Sequence, residues 1–383
     1  EPTTALDVTT QIEVLTAIKE ITRQFRTAAI YISHDLAVVA QLADRIMVLR
    51  DGELVEEGET REMLANPKEE YTRALLSVRR RKKPSSPSVR EEQTLLEVKG
   101  VSASYGNGVE VLKDIHLKVK RKTTVAVVGE SGSGKSTLAR VITGLLPPLQ
   151  GRIVFDGEEL PADLKARDRE SLRRLQMIYQ MPDTALNPRQ KLRTVLGRPL
   201  EFYFGMKGKE QTERIVELLE MVELPAEYID RYPTELSGGE KQRVCIARAL
   251  AAKPDLIICD EVTSALDQLV AEGVLKLLQS LQDKLGMSYL FITHDLATVK
   301  AIADEIVVMW QGRIVEQGVK EEVLSPPHHE YTELLLSSVP EMDPDWLDNL
   351  LARRARKRAR RRPDGGGPGR PLRQPAPAAS YNR

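Results

Sequence analysis

The sequence predicts an α/β protein with a parallel sheet, and three observations carry that prediction. Short apolar runs such as Val125-Ala126-Val127-Val128 and Leu256-Ile257-Ile258-Cys259 alternate with stretches of helical periodicity. The first of these runs feeds a Gly-rich loop, Gly129-Glu130-Ser131-Gly132-Ser133-Gly134-Lys135-Ser136-Thr137, which opens a helix at Leu138-Ala139-Arg140-Val141-Ile142. A long part of the chain occurs twice.

The repeat is gap-free. Glu1-Pro2-Thr3-Thr4-Ala5-Leu6-Asp7 matches Glu261-Val262-Thr263-Ser264-Ala265-Leu266-Asp267, and Tyr31-Ile32-Ser33-His34-Asp35-Leu36 matches Phe291-Ile292-Thr293-His294-Asp295-Leu296. Asp51-Gly52, Gly58 and Glu70-Tyr71-Thr72 match Gln311-Gly312, Gly318 and Glu330-Tyr331-Thr332 at the same offset of 260 residues. A period this long is a duplicated domain rather than a solenoid. Residues 1–77 therefore read as the C-terminal part of a first copy, whose upstream part and phosphate loop are not in the chain. The chain begins inside a motif without an initiator Met, which reads as a piece of a longer protein.

Within the first copy, residues 8–23 have helical periodicity, 28–32 read as a buried strand, 36–42 as a short helix and 45–49 as a strand before a turn at Asp51-Gly52. Residues 78–93 read as a linker, basic and then Ser/Pro-rich; it is either a solvated tether or weakly attracted to anionic lipid. The second copy spans 94–340. Residues 95–101 and 111–119 alternate as strands, with Tyr105 in the loop between them. Arg152-Ile153-Val154-Phe155 and Gln176-Met177-Ile178-Tyr179 are further strands, the second ending at Gln180. Residues 190–253 lose the strand signal and read as helices around 194–204, 210–221 and 240–252. From 341 to 383 the chain is expected to be a disordered tail, basic and then Pro/Gly-rich, although Asp343-Pro344 resembles a helix start. Its Arg-rich run is either a solvated frayed helix end or a contact for an acidic membrane surface.

Composition narrows the class. The 383 residues carry 56 Lys and Arg against 56 Asp and Glu, a balance that calls for no nucleic acid partner. Cys245 and Cys259 both lie in apolar runs and read as core residues of a reducing compartment. No apolar run approaches the roughly 18–20 residues of a membrane span, so the chain reads as soluble.

The glycines of the 129–137 loop let backbone N–H groups turn inward round phosphate oxygens, and the helix N-terminus adds positive charge. Lys135 can reach β- and γ-phosphates and Ser136 can ligate Mg²⁺. A buried strand ending in Asp260-Glu261 supplies one carboxylate for the metal and one for a general base. Gln180 can touch Mg²⁺ or the attacking water, and His294, at another strand end, can bond a γ-phosphate oxygen. Leu236-Ser237-Gly238-Gly239-Glu240 opens a second phosphate-ready helix. One domain has little use for two γ-phosphate sites, so this one is expected to serve a nucleotide held by another copy.

In this order the motifs resemble the ATP-binding subunit of ABC transporters. They correspond to the A-loop (Tyr105), Walker A (129–137), Q-loop (Gln180), signature (236–240), Walker B (256–261), D-loop (Ser264, Ala265, Leu266, Asp267) and H-loop (His294). The first copy keeps only Glu1, the D-loop Thr4-Ala5-Leu6-Asp7 and His34 of such a set. The resemblance implies a P-loop NTPase core with an antiparallel β subdomain and a helical subdomain, binding ATP and Mg²⁺. It also implies a head-to-tail domain dimer in which Tyr105 stacks on adenine. The segments 180–189 and 327–335 are similar to the oligopeptide/dipeptide/nickel importers. That similarity implies separate permease subunits, a solute-binding protein, and a place on the cytoplasmic face of the membrane. Val262 stands where Pro is usual and Glu240 where Gln is usual, and neither change removes a phosphate ligand. The competing expectation is a soluble twin-ATPase of the same superfamily acting on ribosomes. A DNA-repair ATPase would need zinc cysteines or a long coiled coil, and the sequence has neither.

Overall fold

The computed structural model describes residues 8–77, 93–106 and 108–360, together with Pro2 and Leu6. The expectations for Glu1, Asp7, the linker over 78–92 and the tail over 361–383 lie outside the described residues.

The N-terminal segment runs α1 (Val8–Phe25), α2 (Leu36–Leu42), β1 (Arg45–Arg50), β2 (Glu53–Glu59), α3 (Thr60–Ala65) and α4 (Glu70–Ser77). Asp35 starts α2 by accepting the Ala37 and Val38 N–H groups. β1 and β2 form an antiparallel pair with a bulge at Val48/Leu49. The strand expected at 28–32 does not form: this stretch is irregular, with Ile30 95% and Ile32 69% exposed. Its counterpart in the repeat is paired on both sides by parallel neighbours. Residues 1–77 supply no counterpart of either neighbour, and an unpaired strand has nowhere to place its backbone hydrogen bonds.

The chain continues with β3 (Thr94–Ser104), β4 (Glu110–Lys120), β5 (Thr124–Val128), α5 (Lys135–Ile142), β6 (Gln150–Phe155) and β7 (Glu158–Glu159). Four of these make an antiparallel sheet in the order β4-β3-β6-β7. Next come α6 (Arg169–Arg174), β8 (Leu175–Ile178), α7 (Pro182–Ala185), α8 (Leu192–Phe204), α9 (Gly208–Met221) and α10 (Gly238–Leu250). They are followed by β9 (Leu256–Asp260), α11 (Gln268–Leu285), β10 (Ser288–Ile292), α12 (Leu296–Ile302), β11 (Glu305–Trp310) and β12 (Arg313–Val319). Three helices close the described chain: α13 (Lys320–Val323), α14 (Glu330–Ser337) and α15 (Trp346–Arg360).

The central sheet has the order β12-β11-β5-β10-β9-β8, with β12 antiparallel at the edge and the other five parallel. β5, β9 and β10 are buried at every position, which is why they read as continuous apolar runs rather than alternating ones. One core lies between the two sheets, around Leu117, Val127, Leu138 and Ile258. Another joins the helices α8 to α11 to the opposite face, around Leu196, Leu218, Ile246 and Phe291. Both cysteines are buried, as expected of core residues. Because β5, β9 and β10 are parallel neighbours, the loops that follow them emerge at one end of the sheet, which is where α/β sheets bind ligands.

The tail expected to be disordered from 341 instead begins with a packed helix. In α15, Leu347 is fully buried and Leu350 nearly so, in a cluster with Ile12, Leu15 and Val38 of the N-terminal segment. The apolar positions at the start of α15 were outweighed in the sequence by the arginines that follow. Among the described residues no helix is long and apolar enough to cross a membrane.

Candidate active site

The phosphate loop joins β5 to α5 through two glycines that nothing larger can replace. Gly129 has φ 153° and lies against the Met309 carbonyl, so a methyl group there would overlap that oxygen. Gly134 has φ 105° at the N-cap of α5, with the Leu112 side chain 2.9 Å from where a Cβ would stand. The loop turns back on the Lys135 side chain, whose ammonium donates to the carbonyls of Gly129 at 2.8 Å and Glu130 at 2.9 Å. Lys135 is buried, so its charge acts at short range in a poorly screened setting.

Ser136 and Asp260, each expected from the sequence to serve the metal, lie within hydrogen-bond reach of each other. The Ser136 hydroxyl donates to Asp260 Oδ1 at 3.0 Å. Burial raises the Asp260 carboxyl above its usual range, and the Ser136 hydrogen bond only partly offsets this. A buried carboxylate beside a hydroxyl, with Gln180 one side chain away on Glu261, is a hard-oxygen donor set that suits Mg²⁺.

Glu261 sits between Gln180 and His294. Gln180 Nε2 donates to Glu261 Oε2 at 2.6 Å, and His294 Nδ1 lies 3.4 Å from Oε1. Burial pushes the Glu261 carboxyl up, but the His294 hydrogen bond and charge, with Lys135, outweigh it and hold the group below the usual range. His294 is raised in turn, chiefly by its bond to Glu261. The Glu261 backbone has φ 49°, a left-handed conformation that costs a non-glycine residue of order 1–3 kcal/mol. Its N–H donates to Ile292 O at 2.9 Å, and the Ser264 hydroxyl donates to its carbonyl at 2.9 Å. The turn containing Ser264, Ala265 and Leu266 therefore packs under Glu261, and Asp267 ends it by capping α11 at the Val270 N–H.

Tyr105 lies on the other side of the loop, half-exposed. Its hydroxyl is 3.2 Å from Thr137 Oγ1 and accepts from Arg140 at 3.3 Å, and the Arg140 guanidinium lies over its ring, 5.9 Å from the centroid.

Leu236-Ser237-Gly238-Gly239-Glu240 forms a separate feature. Ser237 caps α10, accepting the Glu240 N–H at 3.4 Å, while Glu240 Oε2 accepts the Ser237 N–H at 2.8 Å. Tyr228 donates to the other Glu240 oxygen at 2.8 Å, so Glu240 is a member of a local network. Among the described residues no hydrogen bond links 236–240 to 129–137, and Leu236 belongs to the helical core rather than the core beneath α5. His34 is exposed in the N-terminal segment.

The structure adds a residue that the motifs do not contain. The Tyr331 hydroxyl on α14 accepts the Glu130 N–H at 2.8 Å, across 201 residues of sequence. No spacing pattern reaches that far, and the sequence marked Tyr331 only as part of a repeated segment and of the importer-like stretch 327–335.

Comparison with known proteins agrees with this geometry. Residues 112–264 match the family described as ABC transporter, and residues 55–100 and 315–368 match the oligopeptide/dipeptide transporter C-terminal region. The glutathione import ATP-binding protein GsiA of Escherichia coli (strain K12) is 37% identical over 383 residues, a match covering 90% of this chain and 61% of that protein. The Salmonella typhimurium protein of the same name is 37% identical over 380 residues with the same coverage. The chain thus spans about three-fifths of the length of these relatives. Among solved structures, cbiO1 of Clostridium perfringens, part of the ABC transporter complex cbiONQ, aligns with a TM-score of 0.55 and 31% identity over 61% of this chain and 91% of that one. The ATP-binding cassette MJ0796, solved as a dimer bound to ADP and Pi, aligns with a TM-score of 0.53 and 30% identity over 59% and 98%. The chain belongs to the ABC transporter family of ATP-binding cassettes.

Proposed function

We propose that this chain hydrolyses ATP to power an importer of peptides or similar small solutes through separate membrane permeases, working as a peripheral subunit on the cytoplasmic face. The observation that carries the reading is the meeting of Lys135, the Ser136–Asp260 pair and the Gln180–Glu261–His294 set at one end of the sheet. Lys135 holds the β- and γ-phosphates, and backbone N–H groups of 132–137 surround them. Ser136, Asp260 and the Gln180 carbonyl oxygen would hold Mg²⁺, which when bound supplies positive charge against the phosphates. Glu261, kept ionised by His294, orients a water toward the γ-phosphorus and takes its proton. His294 keeps Glu261 in place and can bond the γ-phosphate. Tyr105 offers its face to the adenine.

Import of a peptide-like solute is supported by the glutathione-import relatives and by the two matches to the peptide-transporter C-terminal region. The ribosome-directed alternative gains no support from them. The same two matches start at residues 55 and 315, the offset of the internal repeat, which supports residues 1–77 as the end of a first ATPase domain. Burial supports it as well. Met47 and Leu49 are more than half exposed, while Val307 and Met309, their repeat partners, are buried against the rest of the second copy.

The test is nucleotide binding by fluorescence titration of the chain and of Lys135→Ala, with affinity purification to identify partners. Loss of Mg-ATP affinity in the variant and recovery of membrane permeases agree with the proposal. Wild-type affinity in the variant, or recovery of ribosomes instead, overturns it.

A further inference from the structure

The bond between Tyr331 and Glu130 fixes a particular peptide of the phosphate loop. Tyr331 is 5% exposed, and its ring stacks on Trp310, the last residue of β11, with centroids 5.4 Å apart and planes 19° from parallel. Its hydroxyl holds the Glu130 N–H. The carbonyl of that same peptide unit is Gly129 O, which accepts from Lys135 Nζ at 2.8 Å. In a trans peptide the N–H and C=O point in opposite directions, so Tyr331 and Lys135 grip one plane from its two sides. Bonds in such a chain polarise and strengthen one another. The start of α14 is itself anchored: His329 Nδ1 accepts the Tyr331 N–H at 3.2 Å, and the His329 N–H donates to Glu316 of β12 at 3.1 Å.

We propose that Tyr331 is a positioning residue for the nucleotide site. By holding the Gly129–Glu130 peptide, its hydroxyl sets where the Lys135 ammonium rests and how the loop presents itself to the β- and γ-phosphates. The C-terminal segment after β12 thereby becomes part of the phosphate site. This deepens the ATPase reading and rests on it. The first copy has a similar arrangement, in which Tyr71 lies under Arg50 at 5.0 Å, where Tyr331 lies against Trp310.

The experiment compares Tyr331→Phe with wild type in the full chain, because this change removes one oxygen and keeps the stacked ring. Leaving the Glu130 N–H without its partner should weaken Mg-ATP binding about 5- to 30-fold. The KM for ATP should rise by the same factor, while kcat at saturating ATP stays within about twofold, the pattern for lost uniform binding. Tyr71→Phe is the control and should leave affinity at Lys135 unchanged. In Lys135→Ala, adding Tyr331→Phe should cost much less than it does alone, because the two act through one peptide. Unchanged affinity in Tyr331→Phe, with wild type binding Mg-ATP normally, overturns this proposal and leaves the ATPase reading standing. A fall in kcat with KM unchanged, or full additivity with Lys135→Ala, also overturns it. Failure of the wild-type chain to bind Mg-ATP overturns both.

Discussion

Gln41 and Leu347 join the two ends of the described chain through one buried side chain. Gln41 Oε1 accepts the Leu347 N–H at 3.1 Å, while its Nε2 donates to the carbonyls of Glu341 at 2.8 Å and Asp343 at 3.0 Å. The amide thus satisfies the backbone where the chain enters α15. Beside it Leu347 and Leu350 pack on Ile12, Leu15 and Val38. The ion pairs at the rim, Arg61–Asp345 and Lys19–Asp348, are partly or wholly exposed and add little. Burial of Leu347 by itself contributes about 1.5–3 kcal/mol.

Gln41→Leu should therefore loosen both partners. The substitution keeps the volume but leaves two carbonyls and an N–H unsatisfied, at a cost of about 1–3 kcal/mol. Hydrogen exchange should quicken in α1, α2 and the start of α15 and stay as in wild type in β5, β9 and β10. Uniform exchange across the chain, or no change at α15, would show that α15 does not depend on this contact.

Gly239 faces Val270 so closely that an added methyl would overlap Val270 Cγ1. Valine cannot swing its γ-carbons away easily, since its χ1 is stiff. Gly239→Ala should push α10 from the start of α11 and cost about 1–3 kcal/mol in denaturant unfolding. Val270→Ala in the same chain should recover most of that loss. Equal destabilisation in the single and double variants would mean that the glycine is needed for another reason.

The parallel strands and the cluster of Ser136, Asp260, Gln180, Glu261 and His294 were legible because their signals are local. A fully buried strand is a continuous apolar run, and the residue at its end is placed by the run itself, as with Asp260, Glu261 and His294. Two features were not legible for matching reasons. The stretch at 28–32 has the composition of a strand, but pairing is a property of neighbours, and those neighbours are missing from 1–77. Leu347 and Leu350 carry the packing of α15, yet their partners lie more than 300 residues away. Tyr331 belongs to the same class: its hydrogen bond spans 201 positions, so only the fold could reveal it.

Glu261→Gln should separate binding from hydrolysis. The amide keeps the size of the carboxylate and can still bond Gln180 or His294, so the loop and Mg-ATP affinity should hold. It cannot accept a proton from water, and the rate should fall by on the order of 10²–10³. Phosphate release at saturating ATP measures this. Retention of more than about half of wild-type turnover would remove Glu261 from the role of base.

The last prediction concerns the signature. Ser237 caps α10 within the helical core, and no hydrogen bond among the described residues connects 236–240 to the loop around Lys135. The glycines and the helix N-terminus still form a phosphate-ready surface, so we expect a site at Lys135 to be completed when another copy brings its Ser237 to the nucleotide. Residues 1–77 cannot do so, since they contain neither a Gly-rich phosphate loop nor a second Leu-Ser-Gly-Gly segment. Two molecules of this chain can, by pairing their 94–340 domains head to tail. Glu261→Gln, by slowing hydrolysis, should hold ATP long enough for that pair to accumulate. Light scattering should therefore show a monomer without nucleotide and a dimer with Mg-ATP. A Ser237→Arg change, which blocks the cap surface without touching Lys135, should leave ATP bound and abolish the dimer. A monomer at all ATP concentrations, with turnover that stays first order in protein on dilution, would mean that each site is complete within one chain.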